Sequence, residues 1–244
     1  VKVGDIGVVF QRYPLFDDRS VLQNLVEPAR NGGLSSEEAK TKALKSLADF
    51  DLLKQASSYP MQLSGGQRQR VAIAQQLIQE RRYIILDEPF SGLDQRLRET
   101  VRGETLALLQ ETRATCVLVT HDPVEAMDFA DRILLMRAGR LIQAGTSAEL
   151  FNKPADLQVA RFFSDVNEIE GHVKNGNVET PLGTFSAAAF SNGAEVLVII
   201  RPQAMTLANA GAGTEGYVLE ARFLGDKTRL LVQFNGLEEP LGVL

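Results

Sequence analysis

The chain has 244 residues, of which 44% are hydrophobic, so it contains enough apolar material for a buried core. Its net charge of −5 argues against a broad nucleic-acid-binding face and against a polybasic membrane anchor. The single cysteine, Cys116, excludes an internal disulfide framework and a cysteine-cluster metal site, and it favours a reducing, cytosolic compartment.

The first elements are expected to be a short strand followed by two helices. Ile6–Phe10 is a short apolar run typical of a strand. Ser35 and Glu38 form a capping-box pattern that predicts a helix through about Phe50. A second helix is predicted directly after Leu63–Gly66, because the apolar residues that follow recur at helical spacing. These residues are Val71, Ala74, Leu77 and Ile78.

Strands and helices then alternate. Tyr83–Leu86 is a nearly continuous apolar run, as expected for a parallel strand buried on both faces. A helix is predicted around Leu97–Leu108, and Cys116–Val119 and Ile133–Met136 are predicted as two further buried strands joined by a helix over Pro123–Ala130. This alternation predicts a doubly wound α/β domain.

The composition changes near residue 164. Residues 1–164 contain 21 basic and 21 acidic residues, whereas residues 165–244 contain 5 basic and 10 acidic residues and half of the 20 glycines. We therefore predict one domain over 1–164 and a second over 165–244. A hairpin turn at Arg137–Arg140 and a helix from Pro154 to Phe163 are expected near the end of the first domain. Turn signals dominate the second domain and favour a small β-barrel or sandwich. They lie at Asn175–Asn177, Ser191–Gly193 and Asn235–Gly236.

Two adjacent acids follow the predicted strand Tyr83–Leu86. A parallel sheet places its ligands at the carboxyl ends of its strands, which is where Asp87 and Glu88 are expected. Because side chains alternate along a strand, one acid can hold Mg²⁺ while the other orients an attacking water. A strand that simply ends in solvated acids explains the pair equally well when it is taken alone.

Ser64-Gly65-Gly66-Gln67 stands directly before a predicted helix. Two glycines allow close approach to the backbone, and a helix start presents free N–H groups that favour an anion such as phosphate. An ordinary N-capped helix after a turn is the simpler interpretation of these residues alone. His121 follows a predicted strand and could donate to a developing negative charge, although a single histidine is more often structural.

Taken together and in order, these segments resemble the ATP-binding cassette (ABC) family, the ATPase subunits of ABC transporters. Leu63–Gln67 is similar to the LSGGQ signature and Tyr83–Glu88 to the Walker B strand. Ser91–Asp94 resembles the D-loop, His121 the H-loop and Gln11 the Q-loop. The resemblance covers residues 6–163. A weaker one extends it to the C-terminal TOBE module of importer ATPases, through Leu150–Ala160, Ile200–Pro202 and Phe223–Asp226.

The resemblance implies a role for each residue at the strand ends. Asp87 would hold Mg²⁺ through water, and Glu88 would act as the general base that orients water against the γ-phosphate of ATP. His121 would stabilise that phosphate. Gln11 would contact Mg²⁺ or the water and report to a transmembrane partner.

The resemblance also implies a head-to-tail dimer. Ser64, Gly65, Gly66 and Gln67 would grip the γ-phosphate of the nucleotide bound to the other subunit, and Asp94 would lie at the interface. The expected fold is a P-loop NTPase-like α/β core with a helical signature subdomain, followed by a small all-β, OB-like module. The expected partners are a second copy of the chain, transmembrane permease subunits and, indirectly, an extracellular or periplasmic solute-binding protein. The expected location is the cytoplasmic face of the membrane, and the expected solute is ferric iron, a polyamine, sulfate or a similar small molecule.

The sequence departs from the family pattern in three places. The phosphate-binding P-loop, G-x-x-x-x-G-K-[ST], should precede Gln11 by several dozen residues, and only ten residues precede it here. We therefore expect an N-terminal truncation and weak ATP binding by this chain alone. Gly92 replaces the usual Ala of the D-loop, and Gln75-Gln76 replaces the usual Arg-Ala.

Two other functions fit part of the pattern. A regulatory or half-site cassette protein would supply Leu63–Gln67 to a partner's nucleotide without hydrolysing ATP. A soluble cassette ATPase of DNA repair or translation would share the core motifs. It would lack the TOBE-like tail, and this neutral-to-acidic chain offers no nucleic-acid-binding patch.

Overall fold

A computed structural model describes residues 6–10, 15–79, 81–112, 115–209, 211 and 213–244. The chain forms two compact units, residues 1–133 and 134–244. In the described part of the chain, no helix is both long enough and apolar enough to cross a membrane.

The first unit combines parallel strands with helices. Its strands are β1 (Ile6–Val9), β2 (Tyr83–Asp87) and β3 (Thr115–Val119). Its helices are α1 (Val21–Asn31), α2 (Ser36–Asp49), α3 (Gly65–Leu77), α4 (Gln95–Thr112) and α5 (Pro123–Phe129). This arrangement confirms the predicted α/β class.

The three strands form one parallel sheet with β2 in the centre. Leu86 lies opposite Val9, and Asp87 lies opposite Val119, so all three strands end at the same edge. The core beneath the sheet is apolar and includes Leu25, Leu47, Phe50, Ile73, Ile84 and Phe90. The sheet therefore carries the residues that follow β2 and β3 on a rigid support.

Capping boxes set the starts of three helices of the first unit. Ser20 with Gln23, Ser35 with Glu38 and Ser64 with Gln67 each exchange two hydrogen bonds between side chain and backbone. The second and third of these starts were predicted, but helix α1 was not. The sequence does contain the signal for α1. Ser20 and Gln23 form a capping-box pattern, and Val21, Leu25 and Ala29 are spaced so that all three are buried on one face of the helix.

The second unit consists mainly of antiparallel strands. It contains β4 (Ile133–Arg137), β5 (Arg140–Gly145), α6 (Ser147–Asn152), α7 (Leu157–Phe163), β6 (Asn167–Lys174), β7 (Asn177–Thr180), β8 (Gly183–Ser186), β9 (Glu195–Ile200), β10 (Gly216–Phe223), β11 (Thr228–Phe234) and β12 (Leu241–Val243). The strands form a β4–β5 pair, a four-stranded sheet of order β8–β7–β6–β9 and a three-stranded sheet of order β10–β11–β12. The predicted turns at Ala138-Gly139 and Asn175-Gly176 are confirmed, with both residues of each pair at positive φ.

The predicted burial of two strands is wrong. Cys116 and Leu118 of β3 pack against the core, whereas Val117 and Val119 are 51% and 47% exposed. An apolar run does not distinguish burial on one face from burial on two, because no polar residue marks the open face. The other error concerns β4, which pairs with β5 as a hairpin and exposes Leu134.

Two boundaries also differ from the sequence-based expectation. Helix α7 begins at Leu157 rather than at Pro154, because the Asp156 carboxylate accepts the Val159 N–H and caps the helix there. The compact units divide at residues 133 and 134, whereas the composition changes at 164 and 165. Within the second unit, Arg201 of the β-rich segment stacks on Phe151 of α6.

Candidate functional site

The predicted acids and the predicted histidine meet at one edge of the first sheet. Asp87 is the last residue of β2, and the Glu88 N–H donates to the Val119 carbonyl of β3 over 2.9 Å. This bond continues the strand pairing by one residue, so Glu88 and His121 leave the sheet side by side. Parallel strands bring the two together although they are 33 positions apart.

Glu88 and His121 contact each other directly. The His121 Nδ1 atom lies 2.9 Å from Glu88 Oε1, and the His121 side chain is 78% exposed. Glu88 has φ of +46°, which is uncommon for a residue with a side chain and costs free energy. Its carbonyl accepts from the Ser91 N–H at 3.2 Å and the Ser91 hydroxyl at 2.8 Å, and these bonds hold the unusual turn.

The acidic surroundings raise the pKa of His121 above its ordinary value. The hydrogen bond to Glu88 and the charge of Glu88 are the largest causes, and the charges of Glu125 and Asp122 add to them. The protonated imidazole is therefore favoured while Glu88 is ionised. This pair can hold a carboxylate in place and present a cationic donor to an anionic substrate.

The Asp87 carboxylate can contribute to a magnesium site whose other ligands are water and the phosphates of a substrate. In the described part of the chain, no group of three or more His, Cys, Asp or Glu residues could hold a metal ion without help. Mg²⁺ commonly takes one or two protein carboxylates and completes its shell with water and substrate phosphates. The Asp87 carboxylate at the end of β2 can supply one ligand in this mode of binding.

The start of α3 has the geometry of a capped helix N-terminus, which can bind an anion. Ser64 Oγ accepts the Gln67 N–H at 3.3 Å, and Gln67 Oε1 accepts the Ser64 N–H at 3.0 Å. The Gly65 and Gly66 N–H groups are the first two of the helix and have no helical acceptor. They remain available to a phosphate together with the Ser64 hydroxyl hydrogen. The capped helix start is confirmed, and it is compatible with the proposed phosphate cradle.

Close packing joins this helix start to the predicted D-loop. A Cβ atom at Gly66 would lie 2.5 Å from Leu97 Cδ2 and 3.0 Å from Leu93 Cδ2. Between these two leucines, Asp94 Oδ1 accepts the Leu97 N–H at 3.1 Å and caps α4. The structure thus places Ser64–Gln67 beside Asp94, while Glu88 and His121 form a second group at the strand ends.

Gln11 lies outside the described residues, and the nearest hydrogen bonds after it in the described chain include those of Phe16 with Asn24. Asn24 is fully buried, and its carboxamide accepts the Phe16 N–H at 2.8 Å and donates to the Phe16 carbonyl at 3.1 Å. Gln75 of α3 donates to the Asn24 carbonyl at 3.2 Å and is 5% exposed. This contact gives the unusual Gln75 a structural role, because it ties α3 to α1 at Asn24, the residue that holds Phe16.

Two residues that the sequence did not single out lie close to the predicted site. Arg98 of α4 contacts the Leu93 carbonyl, and Glu125 of α5 accepts from the Thr120 hydroxyl at 2.6 Å. Glu125 is 4% exposed, which is unusual for a charged side chain. For Glu125 the sequence contained one signal. A carboxylate four residues after His121, on a short helix, faces back toward the strand end.

Comparison with known proteins agrees with this geometry. Residues 3–91 match the family model described as ABC transporter. The chain is 36% identical over 230 residues to a protein named as the Fe(3+) ions import ATP-binding protein FbpC 1 of Rhizobium meliloti, covering 91% of this chain and 65% of that protein. It is 37% identical over 227 residues to a sulfate/thiosulfate import ATP-binding protein CysA of Bordetella parapertussis, covering 88% and 63%.

A solved structure shares the fold. It is described as the dimeric structure of a post-hydrolysis state of an ATP-binding cassette bound to ADP and Pi, with a TM-score of 0.53 and 35% identity. The match covers 58% of this chain and 62% of that one. The chain spans about 52% to 65% of the length of the curated relatives it matches. On the strength of the family match and of relatives that cover most of its residues, the chain belongs to the ABC transporter family of ATPase domains.

Proposed function

We propose that this chain is the ATP-hydrolysing part of an ABC importer, in which hydrolysis in a head-to-tail dimer drives solute uptake through permease subunits. The contact between Glu88 and His121 carries the proposal. It places a carboxylate and an imidazole within 2.9 Å of each other at the carboxyl edge of a parallel sheet, directly after Asp87. Phosphoryl transfer requires mainly positioning and neutralisation of charge, which these groups can supply.

Each residue at the strand ends has a distinct task in this proposal. Glu88 accepts the proton of the attacking water, and its direction is fixed by His121 and by the turn that Ser91 holds. The exposed His121 imidazolium then donates toward the γ-phosphate as negative charge develops. Asp87 would hold Mg²⁺ through water, and the bound ion would supply positive charge that neutralises the phosphate oxygens. Gln11 would contact the same ion or the water.

The second half of the site comes from the other subunit. The Gly65 and Gly66 N–H groups and the Ser64 hydroxyl contact the γ-phosphate held by the partner, while Gln67 maintains the helix start through its bond to Ser64. Asp94 lies at the interface, next to this helix start. The description of the related structure as a dimer supports this arrangement.

The relatives suggest the transport context. Their names refer to import of Fe(3+) ions and of sulfate or thiosulfate, so we propose a small inorganic ion as the solute. The permease subunits and an external solute-binding protein would select it, and the chain would act at the cytoplasmic face of the membrane. The β-rich residues 165–244 would then form the TOBE-like, OB-like regulatory module.

The test is the ATPase activity of the full-length gene product with and without Glu88→Gln. Loss of a general base costs about 10²–10⁴-fold in turnover, and the neutral amide keeps the size of the side chain. Glu99→Gln, at a solvent-exposed position on α4, is the control and should retain normal activity. Unchanged turnover in Glu88→Gln would remove Glu88 from the mechanism, and a full-length protein without ATPase activity would favour the half-site alternative.

A further inference from the structure

A chain of polar contacts connects the two groups of site residues. The Arg98 guanidinium donates from Nη2 to the Leu93 carbonyl over 3.1 Å and from Nη1 to Asp122 Oδ2 over 3.4 Å. Leu93 directly precedes Asp94, and Asp122 directly follows His121. One side chain on α4 therefore touches the loop before its own helix and the segment that carries the histidine.

A buried carboxylate extends this connection to the other side of His121. Arg98 Nε lies 3.9 Å from Glu125 Oε1, and the other Glu125 oxygen accepts from the Thr120 hydroxyl at 2.6 Å. The Thr120 hydroxyl also accepts the Asp122 N–H at 3.0 Å. The residues on both sides of His121 are thus held by one network, and these partners lie beside both carboxylate oxygens of the buried Glu125, one through a hydrogen bond and one through an ion pair.

We propose that Arg98 is a positioning residue that couples the Ser91–Asp94 loop to the Thr120–Asp122 segment, so that the loop's position at the subunit interface sets the orientation of His121. The proposal rests on the proposed function. A planar guanidinium can reach a carbonyl and a carboxylate at once in a fixed geometry. His121 itself is exposed and depends on its backbone and on Glu88 for its direction. A shift of the Ser91–Asp94 loop therefore changes the position of His121 through the contacts of Arg98.

The helix offers a matched control one turn further along. Arg102 of α4 pairs with Asp128 of α5 at 2.8 Å, and so it joins the same two helices as Arg98. Its guanidinium pairs with the C-terminal part of α5, away from Leu93 and from the residues around His121. Arg102→Ala removes an arginine and an interhelical ion pair, while it leaves the proposed coupling in place.

Hydrogen exchange in the 244-residue chain tests the coupling without any need for hydrolysis. Arg98→Ala should speed exchange at the amides of Asp122, Val124 and Glu125, which the network holds, and Arg102→Ala should leave them at the wild-type rate. Equal exchange in the two variants at these amides would overturn the proposal. This outcome does not depend on whether the chain is an ATPase.

Steady-state kinetics of the full-length gene product test the consequence for catalysis. Arg98→Ala should lower kcat by about 10–100-fold, the cost of a misplaced catalytic group, and change the KM for ATP by less than about 3-fold. Arg98→Lys should recover part of kcat, because an ammonium can satisfy one of the partners. Unchanged kcat in Arg98→Ala, or an equal loss in Arg102→Ala, would refute the positioning role even if Glu88→Gln confirms the ATPase.

Discussion

The two glycines at the start of α3 allow packing to be separated from phosphate binding. Among the described residues, and apart from the adjacent residues and the backbone of the helix itself, no atom lies within 4 Å of a Cβ built on Gly65, whereas a Cβ on Gly66 would lie 2.5 Å from Leu97 Cδ2. Replacement by alanine should therefore have opposite effects on stability. Gly65→Ala should stabilise the fold by up to about 1 kcal/mol, because alanine is the better helix former. Gly66→Ala should destabilise it by about 1–3 kcal/mol through overpacking.

In these variants, the rate of ATP turnover should not change in parallel with the free energy of unfolding. A side chain at Gly65 tilts toward the N-terminus of the helix, where the phosphate would approach the free N–H groups. We expect Gly65→Ala to lower ATP turnover by about 10–100-fold although it unfolds at higher urea concentration. Gly66→Ala should lose both activity and stability.

Both quantities can be measured on the same preparations. Urea unfolding of the first unit can be followed by the reaction of Cys116, which lies in β3, with a thiol reagent, and turnover by phosphate release from the full-length gene product. An active and stabilised Gly65→Ala variant would refute the phosphate cradle. A Gly65→Ala variant that is less stable than wild type by more than about 1 kcal/mol would refute the packing argument.

Three further predictions concern single side chains. In an NMR titration, the raised pKa of His121 should fall toward about 6.5 in Glu88→Gln, and an unchanged titration curve would contradict the contact. The ion pair stabilises the fold below the unfolded pKa of His121, and this stabilisation is lost as the pH rises through the folded pKa. Burial raises the pKa of the Cys116 thiol to about 12, so iodoacetamide should modify it roughly 10²–10³-fold more slowly in the folded chain than in urea; equal rates would refute its burial. Leu47→Ala should lower the free energy of unfolding in urea by about 2–5 kcal/mol, because Leu47 is fully buried. Leu53→Ala should change it by less than about 0.5 kcal/mol, because Leu53 is 51% exposed, and similar losses in the two variants would refute this difference in burial.

Local patterns in the sequence predicted most elements of the first unit and placed Asp87, Glu88 and His121 at or just after the ends of its strands. The capping boxes at Ser35 and Ser64 gave correct helix starts, because their hydrogen bonds involve residues only three positions apart. Glu88 and His121 could be placed at the same sheet edge from the strand pattern alone. Their 2.9 Å contact could not, since it depends on strand register and on the positive φ of Glu88.

The remaining features depend on contacts between distant segments. The sequence showed an acid at Glu125 and a base at Arg98, but charged residues on helices are usually solvated, and nothing local marks these two as partners. The open face of β3 was missed for a similar reason, because Val117 and Val119 are apolar whether or not anything covers them. Long-range pairing and burial on a particular face therefore required the structure.

The most direct test of the central claim is complementation between two inactive variants. Gly65→Asp places a carboxylate in open space at a helix N-terminus, where it stabilises the helix by about 0.3–1 kcal/mol but repels phosphate. Glu88→Gln removes the proposed base. Each full-length variant should be inactive by itself, since every site in a head-to-tail dimer would contain the substitution.

A mixed dimer should contain one intact site, with Glu88 from one chain and Gly65 from the other. In a single-turnover assay of an equal mixture, hydrolysis should recover at about a quarter of the sites, because half of randomly assembled dimers are mixed. Hydrolysis in the mixture no greater than in the separate variants would contradict a site shared between two subunits.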